Sequence, residues 1–259
     1  MTKFTNVLSA AAVSLALATG LGGTAQAAGG GPQPPMHEWS FNGLFGTFDR
    51  SALQRGYRVY KEVCAACHGL KYIAFRNLVD IGFTEAEAKA LAEEFEVAGD
   101  PDEFGDPTTR TAKLSDTFPD PFPNPQAARA SNNGALPPDL TLMTKAREYG
   151  PDYLRGLLIG YTDAPADFEL APGMNYNAYF SGHQIAMAPP LSDDLVEYGD
   201  GTEATVEQMA EDVTTFLHWA ANPELERRHQ LGFQVMIFLI LLTGLFWVVK
   251  QRVWRKLDH

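Results

Sequence analysis

The sequence predicts a mainly α-helical, exported domain with long ordered loops, followed by one C-terminal transmembrane helix. Three observations support this fold class: an apolar leader at the N-terminus, helix-capping patterns in the middle of the chain, and a long apolar segment near its end. The 259 residues leave room for one large or two modest domains with a hydrophobic core. We divide them into residues 1–27, 28–226, 227–250 and 251–259.

The first segment, residues 1–27, has the composition of a cleaved signal peptide. Lys3 precedes an apolar stretch from Val7 to Leu21, and the segment closes on the small-x-small sequence Ala25-Gln26-Ala27. The alternative is a retained N-terminal membrane helix, which the shortness of the apolar stretch disfavours. Cleavage implies that the domain of residues 28–226 is exported, in a bacterium to the periplasm.

The apolar segment from Leu231 to Val249 predicts a transmembrane helix. Its only polar members are Gln234 and Thr243, and at about 1.5 Å per residue it spans about 30 Å, the thickness of a hydrocarbon core. Basic residues cluster just after it, so the positive-inside rule places the tail, residues 251–259, in the cytoplasm. A buried helix of a soluble domain is the alternative, but such helices seldom run so long without a charge.

The charge balance is acidic, with 20 Lys and Arg against 32 Asp and Glu and a formal net charge of −12. Phosphate would be repelled, so we expect no nucleic-acid partner. No Lys or Arg lies between Arg155 and Arg227. The acidic runs Glu85–Asp106 and Asp193–Asp212 either steer a basic partner protein or only keep the domain soluble.

Local capping and breaking patterns predict five helices in the exported domain. The first begins at Ser51, where Gln54 completes a capping box, and it ends at the two cysteines. The last begins at Thr205 and ends at Asn222, before a proline. The Pro-rich segment Phe118–Pro125 is predicted to be extended. The other three helices are predicted over Thr84–Val97, Asp139–Tyr149 and Pro151–Gly160.

Both cysteines fall in the pentapeptide Cys64-Ala65-Ala66-Cys67-His68. Two thiols three positions apart can add to the two vinyl groups on one edge of a porphyrin, and the adjacent imidazole then reaches the iron. A thioredoxin-like redox motif is the alternative, but it needs a strand before the first cysteine and a helix after it. Because a helix is predicted before the motif, we predict a cytochrome c-type domain with one covalently bound haem c.

The sixth iron ligand is less well determined by the residues alone. In the sequence around Met187, flanking alanines permit close approach of the backbone to the porphyrin, and Pro189-Pro190 stiffen the loop. Met209, on an apolar helical stripe, and Met236, in the membrane helix, are better explained by packing. Spacing along the chain leaves Met143, Met174 and His183 open as alternatives.

At this point the sequence resembles the cytochrome c1 family, in a bacterial form, over nearly the whole mature chain. Members of this family are haem subunits of quinol:cytochrome c oxidoreductase. The matching segments are Arg55–Cys64, Thr84–Glu94, Pro123–Arg129, Asn132–Leu140 and Met187–Pro190. The C-terminal anchor and the acidic domain also agree with the family.

The resemblance implies the remaining members of the haem site. It implies that Met187 is the sixth iron ligand, opposite His68, and that Arg147 and Tyr153 meet the haem propionates. Some bacterial relatives carry an additional cysteine pair that staples a loop between the haem motif and the methionine. This chain has only the two cysteines of the motif, so packing must hold that loop.

The resemblance also implies the function and the partners. The haem would accept one electron from a Rieske iron–sulfur protein, in a dimeric complex with cytochrome b, and pass it to a basic soluble or tethered cytochrome c. The chain would then act as a subunit of a ubiquinol–cytochrome c reductase of the bacterial inner membrane, with no bond chemistry of its own. A free-standing membrane-anchored electron shuttle and a ligand-binding or peroxidase-type haem protein are the alternatives.

Overall fold

The computed structural model describes residues 31–255, so the predicted signal peptide, residues 1–27, lies outside the described residues. The described part of the chain is mainly helical, with one long apolar helix at its end, as predicted. Its α-helices are α1 (Arg50–Glu62), α2 (Glu85–Glu93), α3 (Pro125–Ser131), α4 (Met143–Ala146), α5 (Pro151–Ile159), α6 (Val206–Ala221) and α7 (Leu225–Trp254). Short 3₁₀ turns cover Cys64–Ala66, Phe75–Ile81 and Ser181–His183.

Two small antiparallel sheets pin the loops of the domain. Strand β1 (Glu96–Ala98) pairs with β2 (Thr109–Thr111), and β3 (Asn175–Tyr176) pairs with β4 (Gln184–Ile185). The predicted helix through Val97 is wrong at its end, because α2 stops at Glu93 and the chain turns into β1. The Phe95 ring, between these two elements, packs near two core phenylalanine rings at centroid distances of 5.2 and 5.9 Å. The free energy gained by this packing exceeds what one more turn of helix would contribute.

The start of α1 differs from the prediction. Asp49, not Ser51, caps the helix, since its carboxylate accepts hydrogen bonds from the backbone N–H groups of Ser51 and Ala52 at 2.8 and 3.3 Å. A carboxylate at position 49 binds N–H groups that would otherwise be unpaired at the start of the helix, so the helix begins earlier than predicted, and it adds a favourable charge at the positive end of the helix.

The other predicted helices agree with the structure to different degrees. Helix α6 begins after the cap residue Thr205 and ends at Asn222, and α5 matches its predicted range, so both predictions are confirmed. The predicted helix Asp139–Tyr149 is reduced to α4. The Pro-rich segment has no regular structure up to Asn124, but Pro125 opens α3, where proline at the first helical position costs nothing.

Helix α6 is the centre of the domain, because α1, α4 and α5 all pack against it. Gly56 of α1 lies at the crossing with α6. A Cβ atom at this position would collide with the backbone carbonyl of Asp212 and lie 2.8 Å from the Cβ of Phe216. The two backbones therefore approach more closely than any residue with a side chain would allow. Side chains of both helices fill the core around this crossing: Leu53, Tyr57, Val59, Tyr60, Met209, Val213, Phe216 and Leu217.

A buried ion pair lies next to this crossing. The Asp212 side chain is 0% exposed, and its two oxygens accept from Nε and Nη2 of Arg55, both at 2.9 Å. A third guanidinium nitrogen donates to Asp200 at 2.8 Å. Asp212 and Asp200 both belong to the predicted acidic run, and for Asp212 the surface position is wrong, since its carboxylate points into the core and is paired with Arg55 there.

The N-terminal segment, residues 31–49, closes the other side of the domain. The carboxylate of Asp152 in α5 accepts from the backbone N–H of His37 at 3.0 Å and from the indole Nε1 of Trp39 at 2.8 Å. The ring of Phe41 stacks on His218 of α6 at 4.3 Å between centroids. The segment thus links α5 to α6.

Helix α7 is long and apolar enough to cross a membrane. It runs without interruption over 30 residues and includes the whole predicted segment from Leu231 to Val249. Its first residue, Leu225, is buried against the domain, whereas the side chains of the apolar stretch are exposed.

The close approach at Gly56 predicts the effect of adding one methyl group. Gly56→Ala should lower the free energy of unfolding by about 1–3 kcal/mol, since the helices must separate to admit the Cβ. The control is Gly199→Ala, because no atom lies within 4 Å of a Cβ built there. Thermal unfolding of the solubilised protein, followed by circular dichroism, measures both. Equal midpoints for the two variants would contradict the close approach.

Candidate functional site

The two cysteines and the histidine of the motif share one tight turn at the end of α1. The 3₁₀ turn Cys64–Ala66 follows the helix directly. The backbone N–H groups of Cys67 and His68 both donate to the carbonyl oxygen of Cys64, at 3.1 and 2.9 Å. Both thiols are free, which leaves them available for attachment to a cofactor.

This arrangement argues against a thioredoxin-like motif. The first cysteine follows the C-terminus of α1 and begins only a three-residue 3₁₀ turn, so no α-helix N-terminus stabilises a thiolate there. Burial, together with the neighbouring Cys67, raises the pKa of Cys64 to about 12. A reactive redox thiol needs the opposite shift.

The imidazole of His68 is oriented by a backbone carbonyl. Its Nδ1 lies 2.7 Å from the carbonyl oxygen of Pro138. A carbonyl only accepts hydrogen bonds, so Nδ1 bears the proton and the lone pair of Nε2 is left for a metal ion. Burial lowers the pKa of His68, which keeps the ring neutral, as a metal ligand must be.

The segment that supplies this carbonyl is fixed to the residues after the motif. The N–H of Leu140 donates to the carbonyl of Gly69 at 3.0 Å. The Asp139 carboxylate accepts from the N–H of Lys71 at 2.9 Å and from that of Thr141 at 3.0 Å. Asp139 therefore connects two loops, which explains why the predicted helix does not begin at this residue. Sequence reasoning missed Pro138, because a carbonyl acceptor leaves no side-chain signal.

Met187 lies in the loop after β4, with its carbonyl oxygen doubly hydrogen-bonded. The hydroxyl of Tyr161 donates to it at 3.1 Å and the side-chain amide of Asn175 at 3.3 Å. The side chain of Met187 is half-buried. The loop is thus held at its backbone, and a weak thioether bond would not have to order it alone.

The hairpin that precedes Met187 is attached to α5 by the fully buried Asn177. Its amide donates to the carbonyl of Leu157 at 2.8 Å, and its side-chain oxygen accepts from the N–H groups of Tyr179 and Phe180 at 3.0 and 3.1 Å. The loop between the haem motif and the methionine was expected to be held by packing instead of an additional disulfide. These hydrogen bonds of Asn177 contribute to holding it.

The other sixth-ligand candidates occupy different surroundings. Met143 is 9% exposed and belongs to the hydrophobic core, as does Met209, which is 0% exposed. Met174 is half-buried in the loop before β3. His183 stacks on Tyr176 at 5.7 Å between ring centroids.

Arg147 and Tyr153 lie on either side of the turn between α4 and α5. Arg147 is exposed, and one guanidinium nitrogen donates to the carbonyl of Ala146 at 3.2 Å. Tyr153, on the first turn of α5, is half-buried. It lies near Tyr161, whose pKa is raised mainly by burial and further by Tyr153.

The structure therefore brings the predicted site residues together in two groups. The motif turn with Pro138 forms one group at the end of α1, and Met187 with Tyr161 forms the other beside α5. Within residues 31–255, no hydrogen bond joins the two groups directly. They are connected through α6, against which both α1 and α5 pack.

Many of the predicted acidic residues already have partners. Asp193 accepts from the N–H of Val206 at 2.8 Å, and Glu94 pairs with Lys61 at 2.6 Å. The N–H of Thr202 and the guanidinium of Arg55 lower the pKa of Asp200 to about 2. Other exposed carboxylates of the two runs lie at the start of α2, in the loop after β1 and around the start of α6, and they include Glu85, Asp100, Asp102, Glu103, Asp106, Asp194, Glu197, Glu203 and Glu207.

Comparisons with known proteins give one consistent result. Residues 39–257 match the model of the Cytochrome C1 family. The chain is 54% identical over 228 residues to a protein of Kluyveromyces lactis named cytochrome c1, heme protein, mitochondrial, covering 88% of this chain and 78% of that protein. It is 44% identical over 271 residues to cytochrome c1 of Rhodospirillum rubrum, covering 98% of this chain and 100% of that protein.

A third relative is named for the assembly that it belongs to. The chain is 52% identical over 230 residues to a Candida albicans protein named cytochrome b-c1 complex catalytic subunit, mitochondrial. The alignment covers 88% of this chain and 80% of that protein.

Proposed function

Because the chain belongs to the cytochrome c1 family, a family of haem proteins that transfer electrons in the cytochrome b-c1 complex, we propose that it holds one covalently bound haem c. The observation that supports this most directly is the turn at the end of α1. It offers two thiols three positions apart and an imidazole whose Nδ1 is bonded to the carbonyl of Pro138. Thioether bonds from Cys64 and Cys67 would attach the porphyrin, and Nε2 of His68 would bind the iron.

When bound, the haem supplies a one-electron ferric/ferrous couple. The protein residues around the site would hold His68 and Met187 in place. Pro138 fixes the imidazole of His68, while Tyr161 and Asn175 hold the backbone of Met187, which we propose as the sixth ligand. A thioether in this position favours the ferrous state and so raises the reduction potential.

Arg147 and Tyr153 are proposed to meet the haem propionates. Arg147 directly follows α4 and Tyr153 lies on the first turn of α5, the helix that supports the methionine loop. An exposed guanidinium retains donors that can bind a carboxylate in a bidentate geometry, and a tyrosine hydroxyl can donate one more hydrogen bond.

The partners are proposed from the family and the charge distribution. We place the chain beside cytochrome b in a dimeric complex, with a Rieske iron–sulfur protein as electron donor and a basic cytochrome c as acceptor. The haem domain would lie in the periplasm of a bacterium, anchored by residues 227–250, with residues 251–259 in the cytoplasm. The basic residues that follow the apolar part of α7 support this orientation.

Covalent attachment predicts that the haem stays with the polypeptide after denaturation. In a denaturing gel stained for haem peroxidase activity, the wild-type chain should stain, and the double variant Cys64→Ala/Cys67→Ala should not. The control Ala65→Ser changes a neighbouring side chain without removing a thiol. A wild-type chain that loses all of its haem in the denaturant would refute the thioether bonds.

The sixth-ligand proposal predicts different effects at three methionines. Met187→Leu should lower the reduction potential by roughly 0.1 V or more, because axial ligands set haem potentials over a range of about 0.8 V. It should also allow the ferrous form to bind carbon monoxide. The matched controls Met143→Leu and Met174→Leu should change neither property. Redox titration and optical spectra under carbon monoxide measure all three.

Two outcomes would refute the ligand assignment. One is a wild-type ferrous spectrum that already shifts under carbon monoxide, which would indicate a ligand-binding haem protein. The other is an unchanged potential in Met187→Leu together with a lowered potential in one of the other two variants.

Electrostatic steering predicts a dependence on ionic strength. The rate of electron transfer from the membrane-bound complex to a basic cytochrome c should fall by roughly tenfold between low and physiological salt. The double variant Glu103→Gln/Glu203→Gln should weaken this dependence. The control Glu62→Gln, an acid paired with Arg58 outside the two runs, should affect it less. A rate that does not change with salt would contradict electrostatic steering. The acidic runs would then serve only to keep the domain soluble.

A further inference from the structure

A tight turn near the start of the described chain presents two large apolar side chains to the outside. The N–H of Gly46 bonds to the carbonyl of Gly43 at 3.4 Å, which puts Leu44 and Phe45 at the two central positions of a turn. Leu44 is 67% exposed and Phe45 is 73% exposed. Turn centres usually carry Gly, Pro, Asn, Asp or Ser, so two adjacent apolar side chains here are unfavourable in water.

The turn is rigid at its base. The N–H of Asn42 donates to the carbonyl of Trp39 at 3.0 Å, and that of Thr47 donates to the carbonyl of Ser40 at 3.1 Å. A Cβ on Gly46 would collide with the carbonyl group of Phe41, so the chain folds back tightly on itself at this position. The two apolar side chains are therefore held at the tip of a fixed protrusion.

The protrusion is attached to the first turns of α7. The imidazole Nδ1 of His229 lies 3.0 Å from the carbonyl oxygen of Gly46. The ring of Phe45 packs edge-on against that of Phe233, with 6.0 Å between centroids.

A second attachment lies just after the turn. The carboxylate of Glu226 in α7 accepts from the backbone N–H of Phe48 at 2.8 Å. It also accepts two hydrogen bonds from the guanidinium of Arg50, at 3.0 and 2.7 Å. The turn and the beginning of α7 thus form one fixed unit.

These contacts set the level of the turn along the membrane helix. Phe233 is two residues beyond Leu231, where the apolar stretch begins, and so lies about 3 Å further along the helix axis. Phe45, in contact with Phe233, lies at the same level. This is where a helix of this kind passes from the polar interface into the hydrocarbon core.

We propose that Leu44 and Phe45 insert into the interfacial region of the lipid leaflet at which α7 enters the membrane. The proposal rests on the membrane anchorage of α7. The tip is continuous with the apolar surface of α7, and burial of one large apolar side chain in an apolar environment is favourable by about 1.5–3 kcal/mol. A lipid surface is thus the occupant that matches both the level and the chemistry of the tip.

A second membrane contact has a mechanical consequence. A single helix anchor leaves a domain able to tilt and rotate about the helix axis. A contact beside the helix removes part of this freedom, and the segment that bears it also bonds to Asp152 of α5 and stacks on His218 of α6. The orientation of the bilayer is thereby transmitted to the core of the haem domain.

Site-specific photocrosslinking in membranes that contain the full chain tests this proposal. The photoreactive residue p-benzoylphenylalanine replaces Phe45 in one variant and Leu44 in a second. After illumination, mass spectrometry of the chain distinguishes phospholipid adducts from polypeptide adducts. The control position is Phe104, which is 82% exposed but flanked by acidic residues. We expect lipid adducts at position 45 to exceed those at position 104 by roughly tenfold.

Adducts to another polypeptide alone, or lipid adducts no more frequent than at position 104, would overturn the insertion. An alkaline carbonate wash separates this result from a failure of the anchor. If the chain stays in the membrane and position 45 gives no lipid adduct, only the turn is misassigned. If the wash releases the chain, α7 is not an anchor and both inferences are wrong. An unchanged haem spectrum in each variant shows that the domain is folded.

Discussion

The crossing of α1 and α6 is the contact on which the rest of the domain depends. A carboxylate inside a core is costly, and Asp212 is tolerated because Arg55 meets it with two parallel hydrogen bonds. The neighbouring Gly56 permits the close backbone approach that brings the two charges into register. Removal of one partner would leave an uncompensated buried charge, typically at a cost of about 3–5 kcal/mol. Since Cys64 follows the end of α1 by two residues, this crossing also determines where the thiols and the imidazole lie.

The second group of the candidate site, Met187 with Tyr161, is also positioned by α6, but through α5 instead of α1. Helix α5 packs on α6, the buried amide of Asn177 holds the hairpin to α5, and Tyr161 holds the carbonyl of Met187. Neither group needs the other for its placement. The residues proposed to bind the iron would therefore be held by the polypeptide through a common support, α6.

Features that depend on interactions between neighbouring residues could be predicted from the sequence, whereas features that depend on contacts between distant residues could not. The bounds of α6 were predictable because a threonine cap and an Asn-Pro break act within a few residues. The partner of Asp212 was not, because Arg55 is 157 residues away in the chain and both residues resemble surface charges. The end of α2 was missed for a similar reason, since Phe95 gains more from the core than from continued helix. The motif turn was found from its spacing, whereas the carbonyl of Pro138 has no sequence signature. The assignments of Met187, Arg147 and Tyr153 to the haem stay predictions.

The distinction between local and long-range interactions also applies to the acidic residues of the chain. Several of the acids that a sequence counts together are used inside the fold: Asp49 caps α1, Asp139 ties two loops, Asp152 binds the N-terminal segment and Asp212 neutralises Arg55. Only Asp212 is offset by a cation, Arg55; the N–H groups that bind the other three carboxylates are neutral, so those carboxylates keep their charge. A distant partner senses the sum of these charges, and at close range it meets the exposed carboxylates, among them those of the loop after β1 and around the start of α6. The net charge of −12 already counts Arg55 and Asp212 together as zero, so this ion pair does not reduce the attraction of a basic protein; the fold instead decides where the unpaired carboxylates lie and hence which surface such a protein approaches.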